Sequence, residues 1–345
     1  MKLFGMILLV GSLVIGVSPV NAADDNAADN TANEEIDRLL DDLLKMDVAE
    51  DTATHREIEP LSIEFKRLTA LQLDPAGNLL ACDGDDRQIK VIDPDGNVTA
   101  TMALDFGPEA LDVGPDGTIY CGGQGQLAVL DKQGKILRTA TVPDVEVPDE
   151  SARRRPRSSG NRVSGLAVSG DDLFVAIGSG WSRGSKSKLF RFTLALEEPE
   201  LLIEGLQGCC QRCDITSKDG VLYLAENSAH RVVTVDRQGE RLSKWGERSR
   251  NAVEGFGSCC NPMNLAFDAE GMLYTAESGI GRVKRYTTDG KYLGLVGYLG
   301  VARFTSAGGL ASSCSNVAIA ATPDGRRVYA MDYKNNIIRV LQQKD

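Results

Sequence analysis

Five times along this chain an apolar run breaks at a short polar turn closed by glycine, and a second apolar run follows at once. The glycines are Gly77 (DPAG), Gly117 (GPDG), Gly220 (SKDG), Gly271 (DAEG) and Gly325 (TPDG), with Asp172 (SGDD) at the sixth equivalent place. Short β-branched runs parted by Asp- and Gly-bearing turns read as hairpins. The fullest copy, Gly255 to Gly290, holds three such runs: Leu265 to Phe267, Met272 to Thr275 and Val283 to Tyr286. Six repeats at steps of roughly 40 to 55 residues, each long enough for four strands, predict an all-β, six-bladed β-propeller of four-stranded antiparallel blades. A glycine count of 36 in 345 residues suits so turn-rich a fold.

The last repeat stops at Val340-Leu341 after three strands, while Ser62 to Lys66 precedes the first repeat as an orphan strand. Pairing of the two would close the ring and remove its free edges. On this reading the propeller occupies residues 61 to 345, and nothing before Leu61 contributes a strand.

The residues ahead of the repeats have their own logic. Lys2, the apolar stretch Phe4 to Val17 and the small-x-small triplet Val20-Asn21-Ala22 read as a signal peptide, residues 1 to 22, cleaved near Ala22. About fourteen apolar residues are too few for a membrane span of about 20, so the expectation is an extracytoplasmic protein, periplasmic or secreted. Residues 23 to 60 form an acidic tail. Thr31 and Glu34 have the spacing of a capping box, and Ile36, Leu39, Leu40, Leu43 and Leu44 follow at helical spacing, predicting an amphipathic helix over about 33 to 47. Thirteen Asp or Glu against Arg38, Lys45 and Arg56 give this tail a net charge of −10 out of −11 for the chain. Setting aside the tail and Lys2 leaves the remainder at −2. A nearly neutral body implies neither nucleic acid nor an anionic membrane as partner.

Within the blades a finer motif recurs. Blade five reads Pro262, Leu265-Ala266-Phe267-Asp268, Gly271, Leu273-Tyr274-Thr275-Ala276-Glu277, Arg282-Val283 and Gly290; blade four repeats it with Tyr223-Leu224-Ala225-Glu226, Arg231-Val232 and Asp236 to Gly239. Asp93 to Gly96 and Asp131 to Gly134 keep the skeleton in blades one and two, and blade three is the most divergent. This pattern resembles the NHL-repeat family of β-propellers over residues 61 to 345. The resemblance implies the fold and leaves the function open, because such propellers host binding, lyase and lactonase activities alike.

Three constellations could carry chemistry. The first is the cysteines, eight in all. Aligned on the turn glycines, Cys209, Cys260 and Cys314 fall just before the inner strands of blades four, five and six, with Cys210, Cys213 and Cys259 close by. Six sulfurs are thus expected on one side of the channel mouth. An even count in an exported protein reads as disulfides, while thiolates from neighbouring blades are also a soft-metal or redox donor set. Cys82 and Cys121 stand apart, one register off on the second strands of blades one and two, which predicts a disulfide across that interface.

The second is basic: Arg153, Arg154, Arg155, Arg157 and Arg183, a solvated excursion or an anion site. The third is a set of oxygen donors, Asp214, Asn261 and Asn264, at the starts of inner strands. Gluconolactonase-like propellers hold a divalent ion in the channel with such groups, so the resemblance leaves an oxygen-ligated ion open. The amidating lyases of the fold use histidines on zinc, whereas this chain has only His55 and His230, both expected at the surface. No nucleophile elbow or phosphate loop is present. The expected function is therefore an exported binding or scaffold module for a protein or small-molecule ligand, with a metal-dependent hydrolase of lactonase type, or a thiolate-bound metal or redox protein, as alternatives. The cofactor, divalent or soft metal ion or none, stays open at this point.

Overall fold

The computed structural model describes residues 52–143, 162–178, 185–249, 252–258, 260–279, 281–299 and 317–345. The first strand is β1 (His55–Leu61). Blade one follows as β2 (Leu68–Leu73), β3 (Leu79–Asp83), β4 (Gln88–Ile92) and β5 (Val98–Ala103), and blade two as β6 (Ala110–Val113), β7 (Ile119–Gly123), β8 (Gln126–Leu130) and β9 (Ile136–Thr141). Blade three is β10 (Arg162–Ser169), β11 (Asp172–Gly178), β12 (Ser185–Thr193) and β13 (Glu200–Gly208); blade four is β14 (Ile215–Lys218), β15 (Val221–Glu226), β16 (Arg231–Val235) and β17 (Arg241–Trp245). Blade five is β18 (Asn264–Phe267), β19 (Leu273–Glu277), β20 (Arg282–Tyr286) and β21 (Tyr292–Tyr298), and β22 (Ile319–Ala321), β23 (Arg327–Asp332) and β24 (Ile337–Gln343) finish the chain. Each sheet has four antiparallel strands, a meander in blades one to five, and the inner strands β2, β6, β10, β14, β18 and β22 contact one another in a closed ring.

The predicted turn chemistry is realised. Gly77, Gly117, Gly220, Gly271 and Gly325 all have positive φ, between 65° and 86°, a conformation open to glycine at little steric cost. The divergent blade differs in detail. Its hairpin turns at Gly170, with φ 62°, so the left-handed residue is Gly170 and Asp172 is already in strand.

Burial follows position in the blade. The second strands β3, β7 and β19 are buried along their whole length, while the outer strands β5 and β9 are almost wholly exposed. Each of the six junctions between neighbouring blades holds its own apolar cluster, so the core is a wheel of six wedges. In every blade the pairing of the third and outermost strands contains a register shift. Such irregularities twist an exposed edge away from ready pairing with another chain.

Closure works as the strand count requires, but with other residues. The outermost strand of blade six is β1, paired antiparallel with β24 through His55↔Gln343, Glu57↔Leu341 and Ile58↔Val340. Ser62 to Lys66 forms no strand; it carries the chain from this outer edge to the inner strand of blade one. The closing strand thus lies within the stretch expected to contribute none. Alternation along HREIEPL is weak, with charged residues at three of seven positions, which suits an exposed outer edge and hides it from a search for apolar runs. The compact propeller begins at Thr52. The signal peptide and helix expected before that residue lie outside the described residues.

Candidate functional site

The starts of the inner strands ring a central cavity of about 350 Å³. Its polar lining is Thr69, Gln72, Glu109, Asp112, Ser164, Arg212, Asp214, Thr216, Ser217 and Asn264. Several of these side chains are already engaged, and five of them reach over to the backbone of the next blade. Thr69 Oγ1 donates to Pro108 O (2.7 Å), Asp112 Oδ2 accepts from Val168 N (2.7 Å) and Ser164 Oγ donates to Cys213 O (2.8 Å). Asp214 Oδ2 accepts from Leu265 N (2.8 Å), and Asn264 Oδ1 accepts from Ile319 N (2.8 Å). At the sixth junction Asn336 Oδ1 accepts from Leu68 N (3.2 Å). These contacts fasten the ring at all six seams and satisfy backbone groups that no strand partner serves.

That use bears on the oxygen-ligand set. Asp214 and Asn264 line the cavity, but Asn261 does not; its amide donates to Gly257 O (2.6 Å) and its Oδ1 accepts from Ser278 N (2.8 Å). With Asn261 turned elsewhere and the other two held by backbone N–H groups, the three do not assemble an ion site, and the buried cation Arg212 lines the same wall. The residues present do not fit the oxygen-ligated ion that the channel of similar propellers suggests.

Arg212 is the residue the sequence reading passed over. It follows β13 in the turn Cys209-Cys210-Gln211-Arg212, whose ends form an isolated antiparallel bridge. Cys210 and Gln211 both have positive φ (56° and 59°), the geometry of a type I′ turn built without glycine or asparagine. The turn nests against glycines: a Cβ on Gly178 would sit 2.1 Å from Gln211 O. It delivers the Arg212 side chain, 8% exposed, into the cavity wall, where the guanidinium has no hydrogen-bond or ion-pair partner among the described residues. Burial, and then the charge of Arg162, push its pKa down to about 9, against the pull of Glu109 and Asp214. Arg162 is itself occupied, bridged to Glu109 at 2.7 Å. The charges of Glu109 and Asp214 thus act on Arg212 through space, without a direct bridge to it.

The carboxylates facing it are shifted the other way. Burial raises Asp214 to about 7, opposed by its hydrogen bonds and by Arg212, and raises Asp112 to about 6. Asp112 also takes a bond from Gln72 Nε2 at 2.6 Å. The wall therefore offers a carboxyl that titrates near neutrality in one cavity with a cation that no described side chain bridges. Asp214 was singled out by sequence, as a metal ligand; Asp112, Glu109 and Gln72 were not, because one carboxylate in an inner strand resembles any turn-former until the ring places it on the axis.

Of the six sulfurs expected at the mouth, three meet. Cys260 Sγ lies 2.8 Å from Cys209 Sγ, which is 3.6 Å from Cys210 Sγ. Cys213 points the opposite way and is buried in the apolar cluster between blades three and four. It is one residue out of phase with Arg212, so when one faces the cavity the other faces the wedge. Cys259 and Cys314 lie outside the described residues. Cys82 and Cys121 do face each other across the junction of blades one and two, as the register predicted, yet both stand as free buried thiols rather than a disulfide. The basic residues Arg153, Arg154, Arg155, Arg157 and Arg183 also fall outside the described residues. Neither histidine is at the surface: His55 is 3% exposed with Nε2 2.8 Å from Gly325 O, and His230 is 2% exposed with Nε2 3.2 Å from Ser258 O. Neither lines the cavity.

The Ala-Glu…Arg motif of the repeats proves to be structural. Glu226 pairs with Arg231 (2.5 Å) and Glu277 with Arg282 (2.9 Å) at the ends of second strands, and the same glutamates accept from Gln207 N and Gly257 N.

No family model matches the chain, and no curated protein matches it by sequence. Solved structures do. A streptogramin B lyase aligns with a TM-score of 0.54 at 15% identity over 86% of this chain and 99% of that one. Regucalcin from Agrobacterium tumefaciens, described as a calcium-binding protein, gives 0.53 at 16% over 85% and 96%. A gluconolactonase from Xanthomonas campestris gives 0.54 at 12% over 86% and 97%. At such identities the likeness is one of fold: the chain is a six-bladed β-propeller related in structure to lyase, regucalcin and gluconolactonase propellers.

Proposed function

We propose that the protein is a channel enzyme that opens a small lactone or similar ester by proton-transfer catalysis, with Arg212 and Asp214 as its working residues. The observation that carries this is Arg212, a buried cation in the wall of the central cavity with no hydrogen-bond or ion-pair partner among the described residues. Hydrolysis turns a neutral ester into a carboxylate through an oxyanion, so a fixed guanidinium interacts more strongly with the transition state and product than with the substrate. Asp214 supplies the proton acceptor for the attacking water, since a general base works best when it titrates near the working pH. The likeness of the fold to a gluconolactonase supports this chemistry over a scaffold role. No cavity histidine is available for base work, which leaves the carboxylates.

Hydrolysis of D-glucono-1,5-lactone and a series of five- and six-membered lactones, followed by acid release, tests the reading. We expect turnover that Arg212→Met lowers by about 10²- to 10³-fold, the usual cost of losing one oxyanion contact, and that Asp214→Asn abolishes. Absence of turnover above background across the series, with no melting shift from the corresponding hydroxy acids, would overturn it.

A further inference from the structure

We propose that Cys209, Cys210 and Cys260 form a binding site for a single Cu(I) ion at the junction of blades four and five. The three sulfurs lie within 4.8 Å of one another, and the span suits one ion. Metal–thiolate bonds of about 2.3 Å place ligand sulfurs about 3.8 Å apart, and the separations of 2.8 and 3.6 Å need only a small opening to reach that. The shorter one is well beyond the about 2.05 Å of a disulfide bond.

The surroundings select among soft ions. Met263, 2% exposed, packs in the same cluster as the three cysteines and sets a thioether beside them. Thiolate and thioether donors together favour Cu(I), whereas structural zinc sites draw on Cys, His and carboxylate in sets of four. Among the described residues no histidine or carboxylate joins the cluster. Asn227 stands behind it, donating through Nδ2 toward Met263 Sδ (3.5 Å) and Cys209 O (3.4 Å), and so fixes two of the elements that carry sulfur. Its own Oδ1 is buried with no hydrogen-bond partner. Outer contacts of this kind orient ligands in metal sites.

The backbone is shaped to the same end. Cys210 keeps a left-handed conformation (φ 56°) that a cysteine adopts only at some cost. Strain of this kind concentrates at functional positions, and here it turns a second thiol toward the first. Cys210 is only partly buried, which gives an incoming ion a path. The site does not depend on the lactonase reading, since it uses none of the cavity carboxylates.

Titration of the fully reduced, full-length protein with Cu(I) held by the chromophoric chelator bicinchoninate, under anaerobic conditions, tests the assignment. The wild-type chain is expected to withdraw one equivalent from the chelator, Cys209→Ser and Cys260→Ser to lose that stoichiometric uptake, and Cys121→Ala, distant in the fold, to keep it. Circular dichroism confirms that each variant is folded. The proposal is overturned if the reduced wild-type chain takes up no copper, if the two serine variants take up as much as the wild type, if Zn(II) is bound tightly while Cu(I) is not, or if peptide mapping finds Cys209 and Cys260 joined in a disulfide that resists mild reduction. Lactone turnover is measured on the same samples, so failure of one reading leaves the other standing.

Discussion

The ammonium of Lys284 lies 2.6 Å from the carboxylate of Glu277, and neither side chain is exposed to solvent. Lys284 also donates to Gly255 O (2.7 Å) and sits 4.5 Å from the centre of the Phe256 ring, while Glu277 holds Arg282 as well. One carboxylate thus serves two cations in a dry pocket. Removing one partner of such a pair leaves an uncompensated charge, at a cost of about 3 to 5 kcal/mol. We expect Glu277→Gln to lower the melting temperature by about 6 to 20 °C, taking about 2 to 4 °C per kcal/mol for a domain of this size. Lys284→Met should be milder, because it leaves Glu277 paired with Arg282 and fills the pocket with apolar volume. Equal losses in thermal melts of the two variants would show that the pair is not what holds this pocket.

Ring closure depends on β1. Deletion to Ala53 is expected to leave the melt unchanged, whereas deletion through Leu61 removes the outer strand of blade six together with the bridge from Glu57 to Arg339 (2.6 Å). Limited proteolysis of the longer truncation should then cut first within residues 317 to 345. Acid should weaken the same seam. Burial holds the His55 pKa below its usual 6.5, so the unfolded chain binds the proton first. Stability from this residue is complete above about 6.5 and is lost as pH falls below it. The His55→Gln variant should lose this part of the acid sensitivity in melts between pH 7 and pH 5.

At the cavity, stability and activity are expected to oppose each other. Asp214 has a native pKa near 7 against 3.8 for an ordinary aspartate. The native state therefore holds its proton longer than the unfolded chain does. Its stabilising effect is full below about 3.8 and is lost as pH rises through about 7. Asparagine keeps the acceptor for Leu265 N and never ionises. Asp214→Asn should match the wild type at pH 4 and melt higher at pH 8, by up to about 4 kcal/mol at 1.36 kcal/mol per pKa unit, while losing turnover. Arg212→Met, which puts an apolar chain in place of a buried cation that no described side chain bridges, should also be stabilising. A lower melting point for either variant at pH 8 would mean that the charge is satisfied in the folded protein.

The division between what the chain displays and what it conceals follows from physical range. Turn glycines act on their own φ, so Gly77, Gly117, Gly220, Gly271 and Gly325 are legible one at a time, and their spacing yields the blade count. The outer strand β1 escapes because its partner β24 is some 280 residues away in sequence and its own pattern is polar. Arg212 escapes for a different reason. Its meaning lies in what surrounds it in the cavity, and no local pattern separates it from a surface arginine. The cysteines fall between: repeat alignment brings Cys209 and Cys260 together correctly, but the phase of the turn, which sends Cys213 into the wedge, depends on two residues with positive φ that carry no glycine to announce them.

Cys82 and Cys121 test how far the interface between blades one and two is closed. Both side chains lie in one apolar cluster with Ile89, Leu111 and Ala128, at 0% and 1% exposure. Burial pushes the Cys121 thiol up to about 12 and the Cys82 thiol well above the usual range, and Cys121 and Asp83 disfavour the Cys82 thiolate further. A thiol attacks only as its thiolate, so neither should react with iodoacetamide in the folded protein over hours, and both should react promptly in denaturant. In this state the two serve as small apolar packing units, and Cys82→Ala or Cys121→Ala should cost about 1 to 2 kcal/mol from the lost sulfur and the space it leaves. Reaction at either thiol without unfolding would mean that blades one and two part transiently; recovery of a Cys82–Cys121 disulfide from gently oxidised protein with a higher melting point would mean that the junction can adopt the bridged geometry that its register permits.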